Sequence, residues 1–324
     1  MAVGLAAFIS VGAVFAGWQG VRSYRAWQGI ERVEFNPVAA RQRLPASSAP
    51  PTSESADQSQ PAIEYDTVLA IGSDQRPEDL ADRQPGAYAD AVLFYLAPTN
   101  GDEPLLVSVP RDLMVTDPCT GLPTKLNRTL EGCGDDVSGA EHVALALEGY
   151  TGIEVDHYAA FGFDAFTDVV DSVGGIEICV EHALRHADRD LLPAGCSVAN
   201  GATTLLWIRS RTTQEFVDGE WRFVENVSDA TRSQRQQQLM LALLARLNEV
   251  RSITDLTNTI ESLSQAVVLD ELMSLGEAVS LAWSLRGMPP SHIRRLIVPT
   301  EVVVLDDGSF ALRATTTFAE LLQG

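Results

Sequence analysis

The chain has 324 residues, of which 45% are hydrophobic and 21% are charged, and its formal net charge at pH 7 is −21. These totals are typical of a folded protein with a sizeable core. The strong negative charge argues against a nucleic-acid partner, because a phosphate backbone would be repelled over most of the surface.

The N-terminal segment, residues 1–28, is predicted to be a transmembrane anchor. Residues 2–18 are nearly uncharged and rich in alanine, valine, glycine and phenylalanine, and their number is at the short limit for crossing a bilayer. The basic residues Arg22, Arg25 and Arg32 follow this run, whereas the positive-inside rule requires them before it in an exported protein. We therefore expect a basic leader upstream; a cleaved signal peptide and a buried apolar helix are the alternatives.

Residues 29–62 are predicted to be a linker between the membrane and a folded domain. From about residue 36 the composition shifts to proline, serine, alanine and glutamine, as in the run from Pro45 to Pro51. Such a segment buries too little apolar surface to order itself. The folded, catalytic domain is then expected at residues 63–310, with a C-terminal tail at residues 311–324.

Apolar runs separated by turn residues predict strands that alternate with helices. Strands are predicted at residues 67–71, 91–96, 105–109, 158–163, 176–180 and 293–305, with a strand-like run at 204–208. Helices are predicted at residues 138–151, 164–173, 229–250 and 253–285. This alternation predicts an α/β fold, in which helices flank both faces of a central mixed sheet.

Four cysteines, Cys119, Cys133, Cys179 and Cys196, lie in the predicted domain. None forms a CxxC pair and no histidine lies at ligand spacing, which argues against a zinc site. Their order suggests two local bridges, Cys119–Cys133 and Cys179–Cys196, each worth roughly 3 kcal/mol. The two other pairings and free buried thiols are the alternatives. Disulfides persist in oxidising compartments, so the bridges would agree with an exported domain.

A series of short motifs runs in order through the predicted domain. They are Gly72-Ser73-Asp74-Gln75-Arg76, Ala89-Asp90-Ala91, Val107-Ser108-Val109-Pro110-Arg111-Asp112, Lys125-Leu126-Asn127, the runs 153–158 and 170–176, Arg209-Ser210-Arg211, and the run 229–237. Together they resemble the LytR-CpsA-Psr family of cell-wall glycopolymer ligases over about residues 66–299. The four cysteines are similar to the pattern of actinobacterial members.

The resemblance implies a phosphotransferase in the cell membrane, with a single span and an extracytoplasmic catalytic domain. Its substrate would be a glycopolymer on a polyprenyl-pyrophosphate carrier, with the lipid tail in an apolar cavity. A hydroxyl of peptidoglycan would attack the sugar-linked phosphorus, and polyprenyl phosphate would leave. The resemblance implies Mg²⁺ (or Mn²⁺) on Asp74 and Asp90 and a catalytic set of Asp74, Asp90, Arg111 and Arg232. The implied pyrophosphate-binding residues are Arg111, Arg209, Arg211, Asp229, Arg232, Arg235 and Gln236.

Independently of the resemblance, arginine suits this chemistry, because a guanidinium binds phosphate bidentately and stays charged. On the predicted helix 229–250, Asp229, Arg232 and Gln236 lie three and four residues apart, so they share one face of its first turns, where the helix dipole favours anions. The plainer interpretation is an N-cap aspartate with a solvated first turn. If residues 209 and 211 are extended, they point to opposite sides.

The remaining polar residues each have a functional and a structural interpretation. Asp74 and Asp90 suit Mg²⁺, which prefers few carboxylates and substrate phosphates, but a turn residue and a strand-edge charge are the plainer readings. Asp112 either orients Arg111 or caps a turn. Lys125 and Asn127 either face substrate or belong to a loop. His157 is a candidate general base, although a structural histidine is the favoured interpretation.

Two departures from the family pattern leave competing functions open. The run Tyr88-Ala89-Asp90-Ala91 lacks the arginine and the hydroxyls that family members carry there. The segment between Arg211 and Asp229 is longer than expected and contains three aromatic residues, so it is a lid, a sugar-stacking loop or a disordered surface loop. A lipid-pyrophosphate hydrolase and a non-catalytic scaffold that binds envelope glycopolymer are the alternative functions.

Overall fold

The computed structural model describes residues 20–44, 63–73, 89, 91–210, 212–224, 229–249, 253–285, 288–305 and 307–323. Its strands are β1 (Glu31–Val33), β2 (Tyr65–Ser73), β3 (Ala91–Pro98), β4 (Leu105–Val109), β5 (Met114–Thr116), β6 (Pro123–Lys125), β7 (His157–Gly162), β8 (Ile176–Val180), β9 (Leu184–His186), β10 (Arg189–Leu192), β11 (Gly195–Ala199), β12 (Thr213–Val217), β13 (Glu220–Phe223), β14 (Val267–Asp270), β15 (Arg294–Ile297), β16 (Thr300–Val304) and β17 (Phe310–Ala314).

Helices occupy much of the remaining chain. They are α1 (residues 20–28), α2 (Pro37–Arg43), α3 (Gly139–Thr151), α4 (Phe163–Ser172), α5 (Gly201–Arg209), α6 (Asp229–Glu249), α7 (Ile253–Ala266), α8 (Leu275–Leu285), α9 (Phe318–Gln323) and two 3-10 helices, Leu126–Glu131 and Pro290–His292.

A seven-stranded mixed sheet forms the centre of the fold, in the order β1-β14-β7-β2-β3-β4-β15. The residues of β3 illustrate how this sheet is buried on both faces. Val92, Phe94 and Leu96 belong to the main core, which also contains residues of α3, whereas Leu93 and Tyr95 pack on the other side against residues of α6. Because alternate residues of a strand face opposite sides, a strand that is apolar throughout needs cover on both. The predicted α/β fold with a central mixed sheet is confirmed.

A second core lies beside this sheet. It is formed by residues of α4, α5, α6, α7, the antiparallel pair β8 and β11, and β9, and it includes the buried Trp207. A separate four-stranded antiparallel sheet, in the order β10-β9-β12-β13, packs against this core through Leu184 and Leu192.

The N-terminal linker prediction is wrong for residues 31–44, which belong to the domain. The strand β1 pairs in parallel with β14, and Phe35 is fully buried with its ring 5.8 Å from that of Tyr158. On α2, Ala40 is fully buried and Arg41 forms an ion pair with Glu148. Composition averaged over the predicted linker concealed these few apolar residues, which precede the proline- and serine-rich run. Residues 45–62 lie outside the described part.

The predicted C-terminal tail is also wrong where it is described. Residues 310–314 form β17, and α9 places Phe318 in the main core, where its ring meets the edge of Tyr150 at 6.0 Å. Leu321 and Leu322 also pack on this core, but so short a helix has no periodic pattern long enough to identify it in the sequence.

Three further element predictions need correction. The predicted helix 253–285 is interrupted by β14, whose four residues are all buried between β1 and β7. The strand-like run 204–208 is part of α5, which starts at the N-cap Asn200 and buries Thr204, Trp207 and Ile208 at helical spacing. The predicted strand 293–305 is two strands, β15 and β16.

The part of the predicted anchor that the structure describes is α1, and it rests on the domain. Arg22 forms an ion pair with Glu261 of α7, and Trp27 packs on a small cluster that includes Ile30 and Met273. Among the described helices, none has the length and apolar character needed to cross a membrane. The apolar run 2–18 lies outside the described residues.

Both predicted disulfides, Cys119–Cys133 and Cys179–Cys196, are present. The second joins directly paired positions of β8 and β11. The first ties the turn after β5 to the loop that precedes α3.

Candidate functional site

The topology brings the predicted site segments to one end of the central sheet. The strand β3 runs antiparallel to both β2 and β4, so β2 and β4 end where β3 begins. We call this the carboxyl end of the sheet; it carries Ser73, Ala91 and, just after β4, Arg111. In the chain, Asp74 follows Ser73 and Asp90 precedes Ala91. Both aspartates lie outside the described residues, so their metal-binding role remains a prediction.

At the carboxyl end, the carboxylate of Asp112 contacts three neighbouring side chains. Asp112 lies 3.3 Å from Nε of Arg111 and 3.5 Å from Nζ of Lys125, and it accepts a 3.4 Å hydrogen bond from Nδ2 of Asn127. The backbone N–H of Asn127 donates to the carbonyl of Arg111 at 2.8 Å. Two cations therefore share one acid, and all are partly exposed. The ion pair agrees with the interpretation in which Asp112 orients Arg111, and Lys125 and Asn127 belong to the same cluster.

Arg209 is the last residue of α5, so the strand-end geometry predicted for it is wrong. The turn after it is held by Arg235 of α6. Nη1 of Arg235 donates to the carbonyls of Trp207 at 3.0 Å and Ser210 at 3.4 Å, and its guanidinium lies 5.6 Å from the Trp207 ring centre. Burial lowers the pKa of Arg235. Sequence reasoning assigned Arg235 to the pyrophosphate; the contacts described give it a positioning role. Arg211 lies outside the described residues.

The helix α6 begins at Asp229, as predicted, and crosses the sheet. The side chains of Asp229 and Arg232 lie outside the described part, whereas Gln236 is buried and lines a cavity. Its neighbour Gln237 was missed by sequence reasoning. Nε2 of Gln237 donates to the carbonyls of Leu106 at 3.2 Å and Leu296 at 2.6 Å, which fixes α6 across β4 and β15. In the sequence, the one indication of this contact was a glutamine next to the leucine-rich half of the helix.

An apolar passage runs between the sheet and α6. One cavity, of about 220 Å³, reaches Gly72, Ala91 and Gln236 at the carboxyl end of the sheet. A second, of about 300 Å³, shares Leu93 and Met240 with the first and continues toward the opposite end. Its lining includes Met273, Leu281 and Leu285.

The passage is apolar along almost its whole lining. Apart from Gln236, the described side chains of the first cavity are hydrophobic. In the second cavity, burial raises the pKa of Tyr95 to about 12, so its phenol stays neutral at physiological pH. A long hydrocarbon chain is the kind of ligand that such a lining favours.

His157 lies at the other end of the sheet, because β7 runs parallel to β2 and starts where the passage leaves the site. Its Nδ1 is 3.3 Å from Asp270, a fully buried carboxylate that also accepts from the backbone N–H groups of Tyr158 at 3.0 Å and Met273 at 2.6 Å. The hydrogen bond to Asp270 raises the pKa of His157. This position agrees with the favoured structural interpretation and separates His157 from the candidate site.

The long segment after Arg211 is a β-hairpin over the residues described. The strands β12 and β13 pair with each other, and β12 also pairs with β9. The interpretation as a disordered loop is therefore wrong for residues 212–224. The rings of Phe216 and Trp221 lie 5.2 Å apart on this hairpin.

Clusters of side chains that could bind a metal can be compared with the predicted metal site. Within the described ranges, the clustered cysteine, histidine and acidic side chains are Cys119 and Cys133 beside His142, and Cys179 and Cys196 beside Glu177. All four sulfurs are in disulfides and do not act as ligands. The carboxylates predicted to hold a metal, Asp74 and Asp90, lie outside the described residues; in the chain, Asp74 comes two residues after Gly72 and Asp90 directly before Ala91, and Gly72 pairs with Ala91.

Comparison with known proteins gives one family and several relatives. The model of the LytR_cpsA_psr family matches residues 40–321. The probable cell wall biosynthesis protein LcpB of Corynebacterium glutamicum is 30% identical over 209 residues, which are 61% of this chain and 46% of that protein. The polyisoprenyl-teichoic acid–peptidoglycan teichoic acid transferase TagV of Bacillus subtilis is 26% identical over 216 residues, or 64% of this chain and 51% of TagV.

Among solved structures, a LytR-Csp2A-Psr enzyme from Actinomyces oris superimposes with a TM-score of 0.62 at 22% identity, over 83% of this chain and 93% of that one. This likeness shows a shared fold. The chain spans about half the length of the two curated relatives described above.

Proposed function

The chain belongs to the LytR-CpsA-Psr family, and on that premise we propose that it is a phosphotransferase. It moves a glycopolymer from a polyprenyl-pyrophosphate carrier to a hydroxyl of peptidoglycan, outside the cell membrane that anchors it. The observation that supports this most directly is the apolar passage that reaches the carboxyl end of the sheet, the end at which β4 leads into Arg111. A lipid pyrophosphate has an apolar tail and an anionic head, and the passage and the arginines match these two halves.

The arginines supply what phosphoryl transfer requires. The reaction needs positioned positive charge around the transferring group more than covalent help from the protein. Arg111 is oriented by Asp112, and Arg209 ends a helix whose last turn is held by Arg235. Arg211, Arg232 and Gln236 complete the proposed pyrophosphate site, next to the first turns of α6, where the helix dipole adds to anion binding.

Asp74 and Asp90 would hold Mg²⁺ or Mn²⁺ in the proposed site. The pairing of Gly72 with Ala91 brings the two chain segments that lead to these carboxylates side by side. A bound divalent ion would stabilise the negative charge of the pyrophosphate. The names of relatives such as TagV, a teichoic acid transferase that acts on peptidoglycan, support the donor and acceptor classes.

In the proposed reaction, the acceptor oxygen forms a bond to the sugar-linked phosphorus. The bond from that phosphorus to the bridging oxygen breaks, polyprenyl phosphate leaves with the electron pair, and the proton of the acceptor hydroxyl passes to solvent or to a carboxylate. Arg111 and the other arginines bind the phosphate oxygens in both the substrate and the transition state.

The test uses the full chain with a synthetic polyprenyl-pyrophosphate glycan and Mg²⁺, with and without peptidoglycan oligomers, and follows released polyprenyl phosphate. We expect release that depends on peptidoglycan. Arg111→Ala and Asp74→Ala should each lower kcat about 100-fold, as for removal of one group that stabilises transition-state charge. Arg313→Ala, an exposed arginine on β17, is the control and should leave the rate unchanged.

Two outcomes would contradict the proposal. Release that is indifferent to peptidoglycan would identify a lipid-pyrophosphate hydrolase. Binding of the lipid pyrophosphate without release under any condition would identify a non-catalytic scaffold.

A further inference from the structure

We propose that the solvent-facing side of the four-stranded sheet binds the donor sugars that follow the one attached to the pyrophosphate. This inference rests on the proposed function, since it names the part of that substrate which the sheet would contact. It concerns residues outside the pyrophosphate site and the apolar passage.

The register of the strands places five side chains on one face. Phe216 pairs with Trp221, Gln214 pairs with Phe223, and Gln214 also pairs with Arg185 of β9. Because directly paired residues lie on the same side of a sheet, and alternate residues share a side, all five face the same way. We call this set the aromatic face.

The opposite side of the same sheet is buried. Thr213 is fully buried, and Leu184 and Leu192 pack into the second core with Trp207. The aromatic face is therefore the side that points to solvent. Its exposure supports this: Phe223 is 63% exposed and Phe216 is 43% exposed.

The side chains of the aromatic face are ordered by contacts with one another. The guanidinium of Arg185 lies 4.5 Å from the Trp221 ring centre, and its Nε donates to Oε1 of Gln214 at 2.6 Å. The Phe216 and Trp221 rings are 5.2 Å apart at an angle of 54°. Cation–π and tilted ring contacts of this kind hold the rings in place before a ligand arrives.

This combination of groups suits a sugar. A pyranose ring has an apolar C–H face, which packs on an aromatic ring, and hydroxyls at its rim, which bond to guanidinium and amide groups. A cluster of exposed aromatic rings is a feature of interaction sites, whereas single exposed rings need no explanation. A guanidinium and an amide fixed beside them provide directional donors and an acceptor.

The four-stranded sheet adjoins the candidate site, and this decides which sugars its aromatic face meets. Ser210, next to Arg209, lies with its Oγ 2.8 Å from Nδ1 of His186, which is on the opposite side of β9 from Arg185. The strand β12 starts at Thr213, four residues after Arg209 in the chain. The donor glycan is covalently attached to the pyrophosphate, so its first sugars must leave the site close to this sheet. The acceptor needs to present only one hydroxyl there.

The experiment compares two synthetic donors on the full chain, geranylgeranyl pyrophosphate carrying either one N-acetylglucosamine or its β1,4-linked tetramer. We expect Phe216→Ala and Phe223→Ala each to raise the KM for the tetramer donor about fivefold, the loss for one aromatic contact. The kcat/KM for the single-sugar donor and the KM for peptidoglycan should stay the same. Phe310→Ala, which removes a ring that is 66% exposed on β17, is the matched control.

A binding measurement separates this inference from the proposed function. Titration with free N-acetylglucosamine tetramer should change the tryptophan fluorescence of the wild type, and Trp221→Phe should abolish the change. If this binding occurs but no donor is turned over, the proposed function fails and the sugar site stands. If turnover is normal but both phenylalanine variants behave like Phe310→Ala, the inference is wrong. A rise confined to the KM for peptidoglycan would assign the face to the acceptor and overturn the inference.

Discussion

Two histidines that each contact an aspartate show how burial decides whether the histidine pKa is raised or lowered. His142 lies 3.1 Å from Asp117, yet its pKa is lowered because its side chain is almost completely buried and the cost of burying the charged ring outweighs the carboxylate. His157 is 20% exposed, and its hydrogen bond to Asp270 outweighs burial, so its pKa is raised.

The raised pKa of His157 predicts a pH-dependent stability. Because the folded state binds the proton more tightly, the contribution of this pair is complete below the unfolded value of 6.5 and is lost as pH rises through the folded-state pKa. The free energy of unfolding of the wild type should therefore fall above pH 6.5, and His157→Gln should remove that part of the fall. Urea unfolding at about pH 6 and about pH 9 measures it.

The control for this prediction is His182→Gln, which changes a more exposed histidine next to Glu181. It should leave the pH dependence of the wild type intact. An identical slope in wild type and His157→Gln would show that the contact with Asp270 contributes nothing to folding. The lowered pKa of His142 affects stability below pH 6.5, but it is present in both the wild type and His157→Gln and therefore cancels from their difference.

At the residue scale, sequence predicted local partners and missed distant ones. Asp112 beside Arg111 is a neighbour in the chain, and each disulfide closes a short loop, so order and spacing were sufficient. The contacts of Arg235 with Trp207 and of Gln237 with Leu296 join residues 28 and 59 positions apart. No local pattern encodes such a pairing, because it arises only when α6 is laid across the sheet.

At the scale of elements, the strongest errors concern short segments that the fold buries. The strand β14 has four residues and β1 has three, and each gains its stability from neighbouring strands, not from its own pattern. Longer elements, such as α3 with its Ser138–Glu141 capping box and left-handed Gly152, carry their own start and stop signals and were predicted to within a residue.

The N-terminal segment that was predicted to be a linker should be essential for stability. Phe35 is fully buried against Tyr158, so Phe35→Ala should lower the free energy of unfolding by about 3–5 kcal/mol through lost burial and a cavity. Val38→Ala, at a site on α2 that is 56% exposed, should change it by less than about 0.5 kcal/mol. Urea denaturation of the two variants and the wild type measures both values.

Equal stabilities for the Phe35 and Val38 variants would mean that residues 31–44 are detached from the domain in solution. The structure gives two further reasons to expect otherwise. The buried Glu141 accepts from the backbone N–H of Asn36 at 3.1 Å and from Nη2 of Arg43 at 2.8 Å. Loss of the segment would leave this carboxylate buried without those partners.

At the scale of the whole molecule, the alternation of strands and helices was enough to predict an α/β fold. It did not reveal that the chain builds two cores, because the four-stranded sheet is made of short strands without a regular alternation of apolar residues. The meeting of the candidate-site segments at the carboxyl end of the central sheet was predictable, since the motif residues Ser73, Ala91 and Arg111 lie at the ends of strongly apolar strands.

The two disulfides should stabilise the molecule in an oxidising compartment. In the chain-entropy model a loop of this size contributes roughly 3 kcal/mol, so the paired change Cys179→Ser with Cys196→Ser should lower the free energy of unfolding by about that amount. The pair Cys119→Ser with Cys133→Ser should act similarly. Urea unfolding with and without a reductant measures both effects. As a control, a variant in which all four cysteines are replaced should have the same stability with and without the reductant. A wild type whose stability is unaffected by the reductant would contradict the prediction.

The pairing of β1 with β14 also affects the order in which the domain can fold during synthesis. Arg32 of β1 donates to the carbonyl of Asp270, 238 positions further along the chain, so a polypeptide made from its N-terminus presents β1 long before its partner exists. Contacts of such separation slow folding, and a strand that waits for its partner is a hazard for aggregation. The charges of Glu31, Arg32 and Glu34 keep this strand soluble in the interval. One border of the central sheet can thus close only after β14 has been synthesised.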